Sequence, residues 1–357
     1  MDGLLIVDKP AGPTSHDVVA RMRRVLREKR IGHTGTLDPM ATGVLLLVVG
    51  KATRLAKFLS ASDKSYDAIV RFGFATDTGD ALGRPLGPVS DRATPSRDAI
   101  GAALDAFRGT FKQRPPAFSA KKIDGQRSYT LARARSRNRQ VSDTVADPPQ
   151  VSNTVAVSAL PAPVNVTARR IEIVSVDADT VTLAVDCSAG FYIRSLAHDL
   201  GERLGVGAHL SALRRTRIGD FGLELAVTLD TVERDPHGAV SAMVSLADML
   251  PKLPTMVLTA EGVKRAIHGR DIGPGHTDLP STFSSQPSPF SHQPSATSPH
   301  ASSQPAPSPQ PFADRAQPFA ALSCQPLVKL IDQAGELIAI AQPTGACELL
   351  HPSVVLV

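Results

Sequence analysis

Cysteine is scarce in this sequence: there are three, Cys187, Cys324 and Cys347, and they lie far apart. Their number is odd and no two form a CxxC pair, which argues against both a disulfide framework and a cysteine zinc site. We therefore expect a protein of the reducing cytosol, with a cytoplasmic localisation.

Long hydrophobic runs are also missing. The longest candidates, such as residues 44–49, have the length of a strand, whereas a helix that spans a bilayer needs about 20 apolar residues. The N-terminal residues 1–9 contain a short apolar run, but without a basic segment before it or a cleavage site, so we expect no signal peptide. The sequence therefore predicts no membrane association.

The bulk composition is that of a globular protein with a mild excess of positive charge. Of 357 residues, 42% are apolar, and the formal net charge is +5. This length allows one large domain or two domains with separate cores. A basic excess suits a polyanionic partner, but many basic proteins bind none, so the net charge alone does not predict a nucleic-acid partner.

Periodicity predicts an α+β protein. Residues 66–74 alternate between apolar and polar positions, which is typical of a strand, and the unbroken apolar run 44–49 predicts a central strand buried on both faces. Thr14 or Ser15 can cap a helix that has Asp17 in its first turn. Further strands are expected at residues 4–7, 171–176, 181–187, 256–258, 326–340 (strand, turn, strand) and 353–357, and further helices at 52–59, 95–108, 193–204 and 260–268.

The helix that follows Thr14 has a strongly basic face, which only Glu28 interrupts. Its cations are Arg21, Arg23, Arg24, Arg27, Lys29 and Arg30. Such a face is either a solvated charged surface or a surface that contacts phosphates, and the sequence leaves both open.

Two stretches break the pattern of strands and helices. Residues 133–168 begin with arginines at alternate positions and continue as a Val/Ser/Thr/Pro-rich run. Residues 274–325 are rich in Ser, Pro, Gln and His with almost no charge, a composition that predicts a disordered insertion. Two prolines at 251 and 254 flank a predicted boundary near residue 252, which divides the chain into domains 1–252 and 253–357.

One loop has a composition that suits chemistry. Residues 32–43 contain three glycines, three threonines, His33 and Asp38, so neither a helix nor a regular strand fits them. Pro39 biases Asp38 away from the helical region, and a carboxylate on a rigid loop can act as a nucleophile or general base. The alternatives are a turn-capping Asp38 and a hydrogen-bonded loop His33. The loop has neither metal-ligand spacing nor a phosphate-binding motif.

This loop, GHTGTLDPMATG, resembles the signature of the TruB family of tRNA pseudouridine synthases. Five further blocks resemble the family's motifs in the family's order: residues 3–10, 63–66, 114–122, 190–196 and 207–215. The resemblance implies a pseudouridine synthase fold, which is a large mixed, mostly antiparallel sheet flanked by helices, with residues 133–168 as an RNA-gripping thumb or insertion. It implies a small PUA-like β-barrel over residues 253–357, although the run 274–325 interrupts it and residues 140–165 are longer than the family's usual thumb connection.

The resemblance also assigns roles to residues. Asp38 matches the catalytic aspartate, Tyr66 the tyrosine that stacks on the target base, and Arg194 the arginine that pairs with the aspartate. Residues that match the family's substrate-binding positions are His33, Tyr192, Leu213 and Lys9, of which Lys9 matches a lysine near the active-site entrance. The implied reaction isomerises uridine 55 in the T-loop of tRNA without cofactor or metal, and the implied enzyme is a monomer whose partner is tRNA.

These roles agree with the physical requirements of the reaction. An arginine partner keeps a buried Asp38 ionised. A base in a stacked loop must flip out to react, and an aromatic face such as Tyr66 can hold it with about 1–3 kcal/mol per stack. Alternatives are a non-catalytic tRNA-binding or tRNA-folding protein, a guide-RNA-dependent relative and an enzyme that acts on ribosomal RNA. The joint presence of Asp38, Tyr66 and Arg194 favours the enzyme over a binding module.

Overall fold

The computed structural model describes residues 1–91, 94–116, 122–123, 126–127, 161–278, 326–345 and 349–356. The chain divides into two compact units, Met1–Val244 and Ser245–Val357, whereas the sequence predicts a boundary near residue 252. Most of the predicted thumb, and all but the first five residues of the predicted insertion, lie outside the described residues.

The first unit is built on strands and short helices. Its strands are β1 (Gly3–Lys9), β2 (Ile31–His33), β3 (Thr42–Val49), β4 (Lys64–Phe72), β5 (Gly109–Gln113), β6 (Lys122–Ile123), β7 (Gln126–Arg127), β8 (Val164–Val176), β9 (Thr180–Cys187), β10 (Ala208–Ile218), β11 (Phe221–Gly222) and β12 (Val227–Thr228). Its helices are α1 (Ser15–Val25), α2 (Ala56–Ser60), α3 (Arg97–Leu104), α4 (Ile193–Leu204), α5 (Leu229–Arg234) and α6 (Pro236–Ser241). 3₁₀ turns at Gly50–Leu55, Asp105–Phe107 and Leu223–Leu225 complete the described elements.

Ten of these strands form one sheet in the order β12-β1-β3-β10-β4-β9-β8-β5, with β2 paired to β3 and β11 to β10. The pairs β1–β12 and β3–β10 are parallel and the other pairs are antiparallel. The mixed, mostly antiparallel sheet therefore agrees with the predicted fold class.

Strand β3 is apolar on both faces, whereas its neighbours in the middle of the sheet bury mainly one face. Seven of the eight residues of β3 are buried, as the unbroken run predicts. In β4 the alternating residues Tyr66, Ala68, Val70 and Phe72 are buried. The strand begins and ends two residues earlier than the predicted range 66–74. The helix α4 has the predicted bounds, and it packs against the sheet through Leu196 and its neighbours one turn apart.

The first helix is fixed by its cap. The Thr14 side chain accepts a hydrogen bond from the Asp17 backbone amide, and the Asp17 carboxylate accepts one from the Thr14 backbone amide, which is a capping box. On the basic face, Arg21 pairs with Glu233 and Arg23 donates to the Ile31 carbonyl at 2.6 Å. Arg30 also lies 4.0 Å from Glu28, so three of the six cations have partners within the fold. Helix α1 ends at Val25, so Arg27, Lys29 and Arg30 lie beyond it and the predicted helix face is shorter than expected. A phosphate contact of these cations stays a prediction.

Two local predictions are wrong, and one strand was not predicted. The loop predicted from residue 32 begins with strand β2, because Gly32 and His33 pair with β3. Strand β8 begins at Val164, inside the stretch read as poorly defined, because it pairs with β5 from its first residue. Strand β10 was not expected from periodicity, because the polar residues His209 and Arg215 occupy buried positions in it.

The second unit contains a four-stranded sheet in the order β13 (Thr255–Val257), β14 (Val328–Ile331), β15 (Leu337–Thr344) and β16 (Leu349–Val355), with helix α7 (Ala260–Ile267). In the described part of the chain this sheet is open, so the predicted closed barrel is not established. The described start of the predicted disordered run is ordered: Pro274–His276 forms a 3₁₀ turn, and the His276 carbonyl accepts from the Thr259 amide at 3.0 Å. A proline suits the first position of such a turn. Residues 279–325 lie outside the described residues.

Among the described helices, none is both long and apolar enough to cross a membrane.

Candidate active site

The loop that carries Asp38 is held by buried polar side chains beneath it. A loop of this kind leaves carbonyl groups without strand partners, and buried carbonyls need donors. Lys9 donates to the carbonyls of Pro10, Pro39 and Ala41 at 2.8, 3.3 and 2.7 Å. Ser15 Oγ donates to the Leu37 carbonyl and accepts from its amide.

Arg215 supports the loop from the other side. This fully buried side chain donates to the carbonyls of Val44, Thr36 and Gly35 at 2.8, 3.4 and 3.1 Å. Because a guanidinium has five fixed donors, one side chain can join the loop to the start of β3. The loop is therefore fixed independently of any ligand.

Asp38 faces a buried arginine from α4. Arg194 Nε lies 2.8 Å from Asp38 Oδ2, and Arg194 Nη2 donates to Asp38 Oδ1 at 3.2 Å. The arginine side chain is 7% exposed and the aspartate side chain 32%, so the carboxylate reaches the surface of the cleft while its partner lies behind it. This two-point geometry fixes the orientation of the carboxylate as well as its charge.

A second carboxylate holds the arginine. Arg194 Nη1 donates to the Thr78 carbonyl at 2.9 Å and lies 3.8 Å from Asp80 Oδ2, whose side chain is 8% exposed. Asp80 is itself fixed, because its Oδ1 accepts from Thr78 Oγ1 at 2.7 Å and from the Leu82 amide at 3.1 Å. Arg194 is therefore shared between two carboxylates, of which only Asp38 reaches the cleft.

The protonation of Asp38 is balanced between opposing effects. Burial raises the pKa of its carboxyl above the ordinary value, Arg194 opposes that rise, and the second carboxylate, Asp80, adds to it. Lys9 opposes the rise as well. Burial in turn lowers the pKa of Lys9 to about 8. The net effect raises the pKa of Asp38, and Arg194 is the main group that opposes the rise.

The cleft in front of Asp38 has a volume of about 260 Å³. Tyr66, at the start of β4, is nearly buried in its wall, and burial raises the pKa of its hydroxyl while the nearby Arg215 opposes the rise. Tyr192 and Leu213 lie in the same wall. The described residues that line the cleft are Thr34, Gly35, Thr36, Leu37, Asp38, Ser60, Lys64, Tyr66, Gly190, Phe191, Tyr192, Ile193, Arg194, Leu213 and Arg215.

Five of the seven predicted site residues therefore meet at one cleft, and two lie outside the set that lines it. His33 is half-buried, with its ring edge-on to His16 at 5.1 Å between centroids. Lys9 is fully buried under the loop, with its ammonium on three carbonyls, so its position is that of a support and not of a group at the cleft entrance. This corrects the location expected for Lys9.

Sequence reasoning missed four residues of the site. Asp80 and Gln113 were not singled out, and Lys64 and Arg215 stood in family-like blocks without a role. Lys64 donates to the carbonyls of Ser60 and Ser62 at 3.0 and 2.5 Å, and burial lowers its pKa to about 8. Within the described residues, no cluster of His, Cys, Asp and Glu could hold a metal.

Two protein-family models match this chain and identify its family. Residues 23–146 match the family model of the TruB family pseudouridylate synthase N-terminal domain, and residues 194–250 match that of the tRNA pseudouridylate synthase B C-terminal domain. The chain belongs to the TruB family. Both matches include residues of the cleft, among them Asp38, Tyr66 and Arg194.

Curated relatives support this membership of the TruB family. The chain is 35% identical over 358 aligned positions to a protein of Solibacter usitatus, with complete coverage of both chains. It is 44% identical to a protein of Corynebacterium diphtheriae over 70% of this chain and 79% of that one, and 43% identical to a protein of Thermobifida fusca over 79% and 91%. All three relatives are named tRNA pseudouridine synthase B.

Solved structures show the same fold at lower identity. A chain of an H/ACA RNP bound to a substrate RNA matches with a TM-score of 0.61 and 22% identity, over 99% of this chain and 85% of that one. A chain of the archaeal box H/ACA sRNP Nop10–Cbf5 complex matches with the same score and identity, over 99% and 86%. These likenesses show the pseudouridine synthase fold, with its mixed sheet and flanking helices.

Proposed function

We propose that this TruB-family chain is a tRNA pseudouridine synthase, an isomerase that converts uridine 55 in the T-loop of tRNA into pseudouridine. The observation that carries the proposal is the Asp38 carboxylate, held at two points by the buried Arg194 in the wall of a cleft that Tyr66 and Tyr192 also line. The names of the curated relatives agree with this substrate.

The reaction makes definite demands on such a site. The bond between carbon 1′ of the ribose and N1 of uracil breaks, and a bond between carbon 1′ and C5 forms. C5 loses a proton and N1 gains one, so atoms and electrons balance within the substrate and the proton transfers. Asp38 is the group we assign to the reacting nucleotide, because its carboxylate reaches the cleft and Arg194 keeps it ionised against burial.

The dimensions of the cleft support a single flipped nucleoside as its occupant. At about 260 Å³ it lies below the range of about 300–1,000 Å³ that is common for larger ligands. We assign Tyr66 to stacking against the base, with Tyr192 and Leu213 completing the wall. Because a stacked T-loop would hide the uracil, the base must leave the loop to enter the cleft. His33, beside the cleft, is assigned to the RNA that remains outside.

The second unit is assigned to RNA binding in the manner of a PUA-like domain. Its open sheet carries a helix, α7, whose end and following turn bear Lys264, Arg265 and Arg270, a cationic group suited to a phosphate backbone. We propose further that the enzyme is a monomer that works in the cytoplasm without a cofactor.

The test is tritium release from tRNA transcripts labelled at C5 of uridine, with wild type compared with Asp38→Asn. Transcripts with cytidine in place of uridine 55 are the matched substrate control. We expect release by wild type alone, and its loss when uridine 55 is replaced, while Asp38→Asn unfolds in urea like wild type and still binds tRNA. Wild type that binds tRNA without releasing tritium would instead identify a tRNA-binding or tRNA-folding protein on the same scaffold.

A further inference from the structure

The start of helix α4 decides where the arginine of the site is placed. Tyr192 occupies its N-cap position and Arg194 is its second residue. Helix N-termini are usually fixed by a short polar side chain at the cap, which accepts from the first free amides, and a tyrosine side chain is unsuited to that contact. Something else must set the position of this helix end, since a shift there moves both Tyr192 and Arg194.

Gln113, at the end of β5, contacts this point directly. Its Oε1 accepts from the Tyr192 amide at 2.8 Å, and its Nε2 donates to the Tyr192 carbonyl at 3.0 Å. The residue is 1% exposed, so water does not compete for these bonds. Both backbone polar groups of Tyr192 are thus held by one side-chain amide, as a neighbouring strand would hold them.

A third bond from the same strand end lies on the other side of the arginine. Ser195 Oγ donates to the Arg114 carbonyl at 2.8 Å. Residues 113 and 114 therefore hold the chain at 192 and at 195, one residue or two from Arg194. We call these three hydrogen bonds the β5 clamp.

The strand that carries the clamp is itself fixed. All five residues of β5 pair with β8, and Phe111 packs edge-on against Phe191 with 5.9 Å between ring centroids. The clamp therefore joins α4 to the sheet and not to a loose loop.

We propose that Gln113 is a positioning residue for the isomerisation: through the Tyr192 peptide it sets the register of α4, and thereby the two-point contact of Arg194 with Asp38. This rests on the proposed function for its kinetic part. The expected consequence follows from geometry, because a displacement of about 1 Å at a reacting group can lower a rate about 100-fold.

The kinetic test uses Gln113→Met, which keeps the length of the side chain and removes both hydrogen bonds. Thr110→Val is the matched control, since Thr110 lies on the same strand and its hydroxyl bonds the exposed Thr167 hydroxyl at 2.8 Å. In single-turnover tritium release we expect the rate constant of Gln113→Met to fall about 10- to 100-fold, with tRNA affinity close to that of wild type. The acid side of its pH–rate profile should move to higher pH, because a displaced Arg194 opposes the protonation of Asp38 less.

Two further variants keep the test decisive if Gln113→Met folds poorly. Gln113→Glu keeps the acceptor for the Tyr192 amide and loses the donor to its carbonyl, so its rate should lie between wild type and Gln113→Met. Ser195→Ala removes only the bond to Arg114 and should give a smaller fall of the same kind. An unchanged rate in all three, or an equal fall in Thr110→Val, would overturn the proposal, as would a loss confined to tRNA affinity.

Hydrogen–deuterium exchange separates this proposal from the proposed function. In Gln113→Met the amides of residues 190–197 should exchange faster than in wild type, and those of Thr110→Val should not. Faster exchange together with the rate and pH changes supports the clamp. Unchanged exchange in Gln113→Met overturns the clamp. If wild type shows no turnover, the proposed function is wrong, and the exchange result alone then tests the clamp.

Discussion

Replacing Arg194 with methionine tests the central electrostatic argument of the site. The change removes the bidentate partner of Asp38 and keeps an unbranched side chain of similar length in a position that is 7% exposed. The direction of the effect follows from the opposing influences on Asp38. Burial raises the pKa of its carboxyl and Arg194 opposes the rise, so without Arg194 the carboxyl holds its proton to a higher pH.

The magnitude can be estimated from the geometry of the pair. Removing one partner of a fully buried ion pair costs about 3–5 kcal/mol. Asp38 is 32% exposed, and solvent screening reduces the effect at such a site, which leaves about 1–3 kcal/mol. This corresponds to about a 5- to 150-fold loss of rate at a pH where the variant is largely protonated. At higher pH that part of the loss disappears, and only the loss of orientation remains.

The assay is the pH dependence of kcat/KM for tritium release by wild type, Arg194→Met and Arg194→Lys. Lysine keeps the positive charge as a single point and loses the two-point geometry, so it serves as the control for charge. We expect the acid side of the profile to move to higher pH in Arg194→Met but little in Arg194→Lys, with a lowered plateau in both. Identical acid sides in Arg194→Met and wild type would show that Arg194 does not keep Asp38 ionised, and the electrostatic argument would be wrong.

Two further predictions concern the support of the loop. Burial lowers the pKa of Lys9 to about 8 from 10.5, so between these values the unfolded chain binds more protons than the folded one and the free energy of unfolding rises with pH. Urea unfolding of wild type and Lys9→Met at about pH 7.5 and about pH 10 should show wild type gaining up to about 3 kcal/mol relative to the variant, and an equal pH response would contradict the shift. Gly43 has a φ of +101°, and an added Cβ would lie 2.1 Å from the Arg215 carbonyl oxygen, so Gly43→Ala should lose about 3 kcal/mol or more in the same assay. Gly12→Ala, at a φ of +106° with open space around it, should lose only about 1–2 kcal/mol, and equal losses would show that the close approach does not matter.

Much of the first unit could be predicted because its signals are local. The unbroken run of β3, the alternation in β4 and the leucine spacing in α4 each lie within one element, and each element formed within two residues of its predicted bounds. The Asp38 loop was also recognisable over residues 34–41, although both ends of the predicted segment 32–43 lie in strands β2 and β3. These features depend only on residues that are close together in the sequence, so they can be recognised from the sequence alone.

The remaining parts of the site depend on contacts between distant residues. Asp80 reaches Arg194 across 114 positions, and Gln113 reaches Tyr192 across 79. Neither has a local pattern that distinguishes it from an ordinary turn aspartate or strand glutamine. Arg215 made its own strand hard to predict. This fully buried arginine interrupts the apolar alternation of β10, so the residue that supports the loop also removes the periodic pattern by which a strand is recognised.

The order of strands in the sheet explains how these distant residues come together. The Asp38 loop leads into β3, Arg215 lies on β10, Tyr66 lies near the start of β4, and α4 with Arg194 follows β9. These four strands, β3, β10, β4 and β9, are consecutive neighbours in the sheet. The site is therefore built across the most buried part of the fold, where side chains are held by packing and by hydrogen bonds to the backbone. Because each group comes from a different strand, its position depends on the register of the whole centre of the sheet. Substitutions that shift β10, such as at the Arg215 contacts with the loop, should therefore reduce activity as well as stability, whereas those on the outer strand β12 should affect stability alone.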